Sequence, residues 1–166
     1  MTEPLRVAVL EHDGGAGERL VAALATANTQ ATLISAARLP DLPLRLRKIG
    51  EAPGRMPGAL LALARGHYDV AHVFTAQDAA VAIAWSRCTG RPAVYTQRDL
   101  LTRANLADRR WRLGALRLAL ERSAAVVAPD AATAASLRRW MAVDPEVLAP
   151  DDAAAHLALY AALRRR

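Results

Sequence analysis

The stretch from Val7 to Arg19 holds the arrangement in this chain with the clearest chemical meaning: a short apolar run breaks into Gly14 and Gly15, and an alanine-rich helical segment follows from Gly17. A turn from strand to helix needs glycine where the backbone bends sharply without room for a Cβ, and the free N–H groups and dipole at the helix start favour an anion or a sugar hydroxyl. The glycines therefore either shape the turn alone or shape it and also touch a ligand. Gly14, Gly15 and Gly17 do not spell the G-x-G-x-x-G of dinucleotide binders, and the Lys-Ser/Thr of a P-loop is missing, so neither NAD nor ATP is indicated.

Other reactive residues exclude more than they suggest. Cys88 is the only cysteine, which rules out an internal disulfide and a cysteine-based metal cluster. The four histidines lack metal-ligand spacing, and neither a metal nor a cofactor is expected. Leu10-Glu-His-Asp13 has the look of the acidic pair of a phosphoryl-receiver domain, but Ala71-His-Val-Phe74 supplies no aspartate at the end of the third strand, and no lysine stands near Ala128-Pro-Asp130. Trp85, Trp111 and Trp140 fall at apolar helical positions and read as packing anchors rather than sugar-stacking platforms, with an interface as the other reading for Trp111, which stands beside arginines.

The elements that position these groups alternate along the chain. Strands are expected near Arg6 to Glu11, Ala31 to Ser35, Asp69 to Phe74, Ala93 to Thr96, Ala125 to Ala128 and Glu146 to Leu148. Helices are expected near Gly17 to Thr26, Pro57 to Arg65, Ala76 to Cys88, Thr102 to Arg122 and Ala131 to Met141. Continuous apolar strands between amphipathic helices specify an α/β fold: a single Rossmann-like, doubly wound parallel sheet with helices on both faces in three layers. In such a sheet the segments just after the strands gather on one edge, so that Gly14, Gly15, His72, Thr75, Gln97, Arg98 and Asp99 converge on one cleft.

With 166 residues, 53% of them apolar, the chain can bury one core and forms one domain. The net charge of +6 suggests an anionic partner, yet Lys48 is the only lysine, a pattern in which arginine rises across the whole chain without marking a site, and no nucleic-acid partner is expected. No apolar run reaches the roughly 18 to 20 residues of a membrane span, and Met1-Thr-Glu-Pro4 leads directly into a strand, so a cytoplasmic location is expected. Between Arg38 and Pro57 a proline-rich basic stretch forms either a flap over the sheet edge or a solvated connector. The helix from Thr102 to Arg122 carries Arg103, Arg110 and Arg117 at seven-residue spacing, as either an ordinary solvated face or a face for acidic lipid.

Four segments in register resemble the N-terminal, acceptor-side domain of GT-B glycosyltransferases, in particular family 4: the Gly14-Gly15 loop with Glu18-Arg19-Leu20, Gly66-His-Tyr-Asp-Val-Ala-His72, Gly90-Arg-Pro-Ala-Val-Tyr-Thr-Gln-Arg-Asp-Leu100, and Arg122-Ser-Ala-Ala-Val-Val-Ala128. The resemblance covers nearly the whole chain. It implies that the cleft holds an acceptor, that the loop glycines approach donor phosphates, and that the position after the Tyr-Thr strand lies near the transferring sugar. The family has a histidine there and this chain has Arg98, which stays charged and cannot accept a proton, so no catalytic residue is assigned.

Glu3 and Glu11 are the only glutamates with the spacing of the family's Glu-x7-Glu donor motif, and they bracket the first strand instead. The expected organisation is a Rossmann domain over 1–150 and a returning helix over 151–166, with His156, Leu159, Tyr160 and Leu163 on one stripe. The resemblance then implies the acceptor-side half of a split glycosyltransferase, inactive as an isolated chain, with a separate donor-domain subunit or a second copy as partner. The other reading is a binding or assembly module that has lost the chemistry. A phosphorylated or lipid-linked acceptor and, at most, peripheral contact at the inner membrane face complete these expectations.

Overall fold

The computed structural model describes residues 4–11, 15–26, 29–34, 55–107 and 110–165. Among them, strands β1 (Arg6–Leu10), β2 (Gln30–Ile34), β3 (Val70–Val73), β4 (Ala93–Thr96), β5 (Ala125–Ala128) and β6 (Glu146–Val147) form one sheet in the order β2-β1-β3-β4-β5-β6. Every neighbouring pair is parallel. Helices α1 (Ala16–Thr26), α2 (Arg55–Arg65), α3 (Ala76–Thr89), α4 (Arg103–Ala107), α5 (Arg110–Arg122), α6 (Ala131–Met141) and α7 (Ala153–Arg164) cover it. The helix expected from Thr102 to Arg122 is seen as α4 and α5, with 108–109 outside the described residues. Most of the basic stretch from Arg38 to Pro57 also lies outside them; only Arg55 to Pro57 are described, opening α2.

The strands are short and apolar because both faces of the sheet are covered, as parallel sheets require. Val7, Ala8, Val9 and Leu10 are completely buried. Alternation sends Leu10, Val73 and Tyr95 to a core shared with α2, α3, α5 and α6, and sends Val9, Phe74 and Val94 to a second core under α1 and α7. Local signals fix the helix ends. The Thr75 hydroxyl accepts the Asp78 N–H at the start of α3, and Asp130 and Asp152 do the same for Thr133 and Ala155 at α6 and α7. Gly90 closes α3 in the left-handed conformation at φ 72°, where its N–H reaches the Ser86 carbonyl.

Helix α7 folds back onto the second face, burying Leu159, Tyr160 and Leu163 there. Burial of such side chains stabilises by about 1.5–3 kcal/mol each, but apolar contact alone leaves the helix free to slide. Its register is set by a polar contact. His72 on β3 faces this side of the sheet, and its Nδ1 meets the Tyr160 hydroxyl at 2.5 Å while its Nε2 meets the Thr96 hydroxyl at 2.6 Å. Phe74 stacks on the imidazole at 4.9 Å, and His156 of α7 lies 5.5 Å from it, donating through Nε2 to the Ala149 carbonyl at 3.1 Å. Tyr160→Phe keeps the ring and strips the partner from a buried imidazole nitrogen, so urea unfolding should show a loss of about 1–3 kcal/mol. An unchanged midpoint would mean that this bond contributes nothing net.

Candidate functional site

The order of the strands locates the site before any side chain is considered. The chain leaves β1 for β2 on one side and returns to β3 on the other, so the connections diverge at the carboxyl ends of β1 and β3 and open a crevice there. Beside it, a cleft of about 340 Å³ runs from the end of β3 across the end of β4 to α5.

Thr75, Gln97, Arg98 and Asp99 all line this cleft. The Gln97 side chain is fixed within it, accepting from the Tyr95 hydroxyl at 2.5 Å and donating to the Asp99 carbonyl at 2.8 Å. Thr75 donates to the Asp78 carboxylate at 2.7 Å while capping α3. These groups stand on strand ends held by the sheet, so their spacing is set by the ladder: Val73 pairs with Tyr95, and the Gln97 N–H bonds to the Val127 carbonyl at 2.9 Å.

Two expected members behave differently. Gly14 lies outside the described residues; Gly15 holds a left-handed φ of 67° just before α1. His72 does not reach the cleft. It is 0% exposed, on the α7 face of the sheet, and its two ring nitrogens are committed to Tyr160 and Thr96. Strand alternation turns it to the face opposite Ala71 and Val73, the face that α7 covers, and the cleft begins only beyond the strand, at Phe74 and Thr75.

The end of α1 is already occupied by a carboxylate of the protein itself. Glu11, 4% exposed, accepts the Ala16 N–H at 3.1 Å on Oε1 and the Gly17 N–H at 2.5 Å on Oε2. Its Oε1 also lies 2.8 Å from the Arg98 guanidinium. The helix start and Arg98, the groups an anionic ligand would use, are thus joined through Glu11.

The aromatic side of the cleft falls on the second of the two readings of Trp111. Trp85 is buried, as a packing anchor should be, but Trp111 is 51% exposed and lines the cleft with Arg112, whose guanidinium carbon lies 5.6 Å from the ring centroid. The signal for this is the run Arg109-Arg-Trp-Arg112, which sets the tryptophan among arginines. Trp140, 39% exposed, is likewise no core residue.

Amide, hydroxyl, carboxylate and guanidinium groups beside an indole face suit a polyhydroxylated ligand, which offers hydroxyls to the first and C–H faces to the second. Asp99 is the one carboxylate among the described lining residues, and no histidine lies among them. No group of three potential ligands that could hold a metal occurs among the described residues, and no described helix is long and apolar enough to cross a membrane.

Fold and cleft together define a Rossmann-like α/β domain with a cleft beside its switch point. The chain belongs to Glycosyltransferase Family 4, whose model matches residues 7–149. No curated protein matches it. Among solved structures it is similar to a form of sucrose-phosphate synthase from Thermosynechococcus elongatus designated 27_220_406_426, at 17% identity and a TM-score of 0.64, covering 98% of each chain. It is also similar to sucrose-phosphate synthase from the same organism at 16% identity and a TM-score of 0.65, covering 87% of this chain and 47% of that one. Anabaena HepE in complex with UDP and glucose follows at 17% identity and a TM-score of 0.54, covering 81% and 41%. The chain therefore spans about half the length of the last two, and the structural similarity shows a Rossmann-like fold matching that part of these GT-B proteins.

The inward position of His72 has a measurable consequence. Burial, and secondarily the neighbouring His156, hold its pKa well below the ordinary histidine value, and burial lowers that of His156 as well. The unfolded chain takes up protons at about pH 6.5 while the folded one does not. This contribution to stability is complete above that pH and declines as the pH falls, by up to about 1.4 kcal/mol per unit for His72, until the folded imidazole also protonates. Urea unfolding at pH 7.5 and 5.5 should show this loss, with a smaller difference for His72→Gln. Equal differences would place the acid sensitivity elsewhere.

Proposed function

We infer that this chain is the acceptor-side wall of a glycosyl-transfer site, binding a saccharide acceptor and acting with a nucleotide-sugar-binding domain supplied by a separate polypeptide. The observation that carries the reading is the cleft beside the switch point, in which Gln97 and Asp99 on a strand end face Trp111 on α5. Family membership supports glycosyl transfer as the chemistry. The match to the designated sucrose-phosphate synthase form over 98% of this chain takes in α7, which supports reading that helix as part of the same fold.

Transfer needs donor and acceptor held in reacting geometry, an advantage of roughly 7–11 kcal/mol when fully realised. The cleft offers one carboxylate and no buried proton acceptor on its surface, so its part is binding and orientation. A second reading, a binding module with no chemistry left, draws on Arg98: it occupies the position at which the family resemblance places a histidine, and its guanidinium is paired with Glu11.

Titration of the chain with glucose and sucrose, followed by tryptophan fluorescence and calorimetry, tests the binding. Trp111→Ala should weaken the saccharide by about 1 kcal/mol, roughly fivefold in Kd. No sugar transfer is expected from the chain alone with UDP-glucose, and transfer should appear when a nucleotide-sugar-binding partner is added. Absence of saccharide binding by the wild-type chain removes the reading; binding without transfer in the presence of such a partner favours the module.

A further inference from the structure

We propose that Glu11 determines specificity: its carboxylate fills the place of a ligand's anionic group between the start of α1 and Arg98, so that the cleft takes uncharged saccharide and rejects phosphorylated sugar. This rests on the saccharide-binding reading of the cleft and names the class of saccharide.

The geometry is that of an anion already bound. Two backbone N–H groups and one guanidinium converge on the Glu11 oxygens at 3.1, 2.5 and 2.8 Å, and the carboxylate is almost wholly shielded from water. Gly17 is shaped to it. A Cβ at that position would stand 2.8 Å from Glu11 Oε2 and 3.1 Å from both Glu11 Cβ and Val9 Cγ1, so the helix start has no side chain where the carboxylate lies.

Charge arithmetic gives the selectivity. A helix start offers roughly half a positive charge; with Arg98 and without Glu11 this end of the cleft would carry about one and a half. Glu11 cancels one unit and uses the hydrogen-bond donors as well. Further along the lining, Arg112 and Asp99 are of opposite sign. Glu11 does not line the cleft itself; it acts there through Arg98, which does, so a phosphate entering would find that guanidinium already neutralised, whereas a neutral hydroxyl would meet Gln97, Asp99 and the indole without needing it.

Calorimetry with inorganic phosphate tests this without any dependence on sugar binding. The wild-type chain should give no measurable heat at millimolar phosphate. Glu11→Gln, which keeps the shape and removes the charge, and Glu11→Ala should both bind it more tightly by on the order of ten- to a hundredfold; adding Arg98→Ala to either should return it to the wild-type level. Glucose and glucose 6-phosphate provide the second arm: the wild type should prefer glucose, and Glu11→Gln should reverse the preference. Circular dichroism confirms folding, and if Glu11→Ala is unfolded the Gln variant carries the test. Phosphate binding by the wild type equal to that of the Gln variant overturns the proposal, as does a gain that survives loss of Arg98. Failure of glucose to bind any form strikes the saccharide reading instead, and the phosphate arm still decides the role of Glu11.

Discussion

A parallel sheet with one bare face does not hold together in water, and in this domain the second face depends on how α7 is seated. Leu159 and Leu163 provide apolar area for that seat, but a leucine stripe is indifferent to a shift of one turn. The pairing of His72 with Tyr160 and Thr96 is not. A buried imidazole has two nitrogens that each need a partner, and only one placement of α7 brings the Tyr160 hydroxyl to Nδ1 while Thr96 meets Nε2. Burial disfavours its charge, and the neutral ring satisfies both contacts with one donor and one acceptor. The cleft on the far edge inherits this order, because His72 and Val73 are consecutive residues of the same strand, one fixing α7 and the other pairing with Tyr95 beneath the cleft.

The same economy governs the start of α1. A helix beginning inside a domain leaves N–H groups that need acceptors. Here the acceptor comes from the residue that ends β1, so the strand-to-helix turn closes on itself through Glu11 and, by way of Arg98, is tied to the end of β4. With Arg98 28% exposed and Glu11 almost fully buried, the pair sits where solvent screening is incomplete, and its removal would leave a charge stranded in the wall of the cleft.

Periodicity made the layers legible because it is the direct imprint of burial. Strands such as Val70–Val73 and Ala125–Ala128 are continuous apolar runs between capped helices, and α6 falls on Ala131–Met141, the range its pattern indicates. Side-chain direction at the strand ends was less legible. A segment such as Ala71-His-Val-Phe places histidine near the functional edge in sequence, but the two-residue alternation decides its face, and its partners Thr96 and Tyr160 lie 24 and 88 residues away. No local pattern encodes a contact of that separation. Trp111 stood between two local signals, the helical spacing of apolar residues and the charge of its neighbours, and the second describes its 51% exposure.

Glu11 shows how one side chain can occupy a site that the backbone offers. Sequence reading associates a glycine-rich turn leading into a helix start with phosphate, and the helix start is here, at Ala16 and Gly17. What the helix start serves is set by the residue that ends the preceding strand: with glutamate at position 11 the Ala16 and Gly17 N–H groups are satisfied from within, and on the proposed reading recognition falls to the neighbouring cleft, with its amide, carboxylate and indole. On the specificity proposed for Glu11, the filling of the helix start and the neutralising of Arg98 at the cleft are two consequences of the same carboxylate.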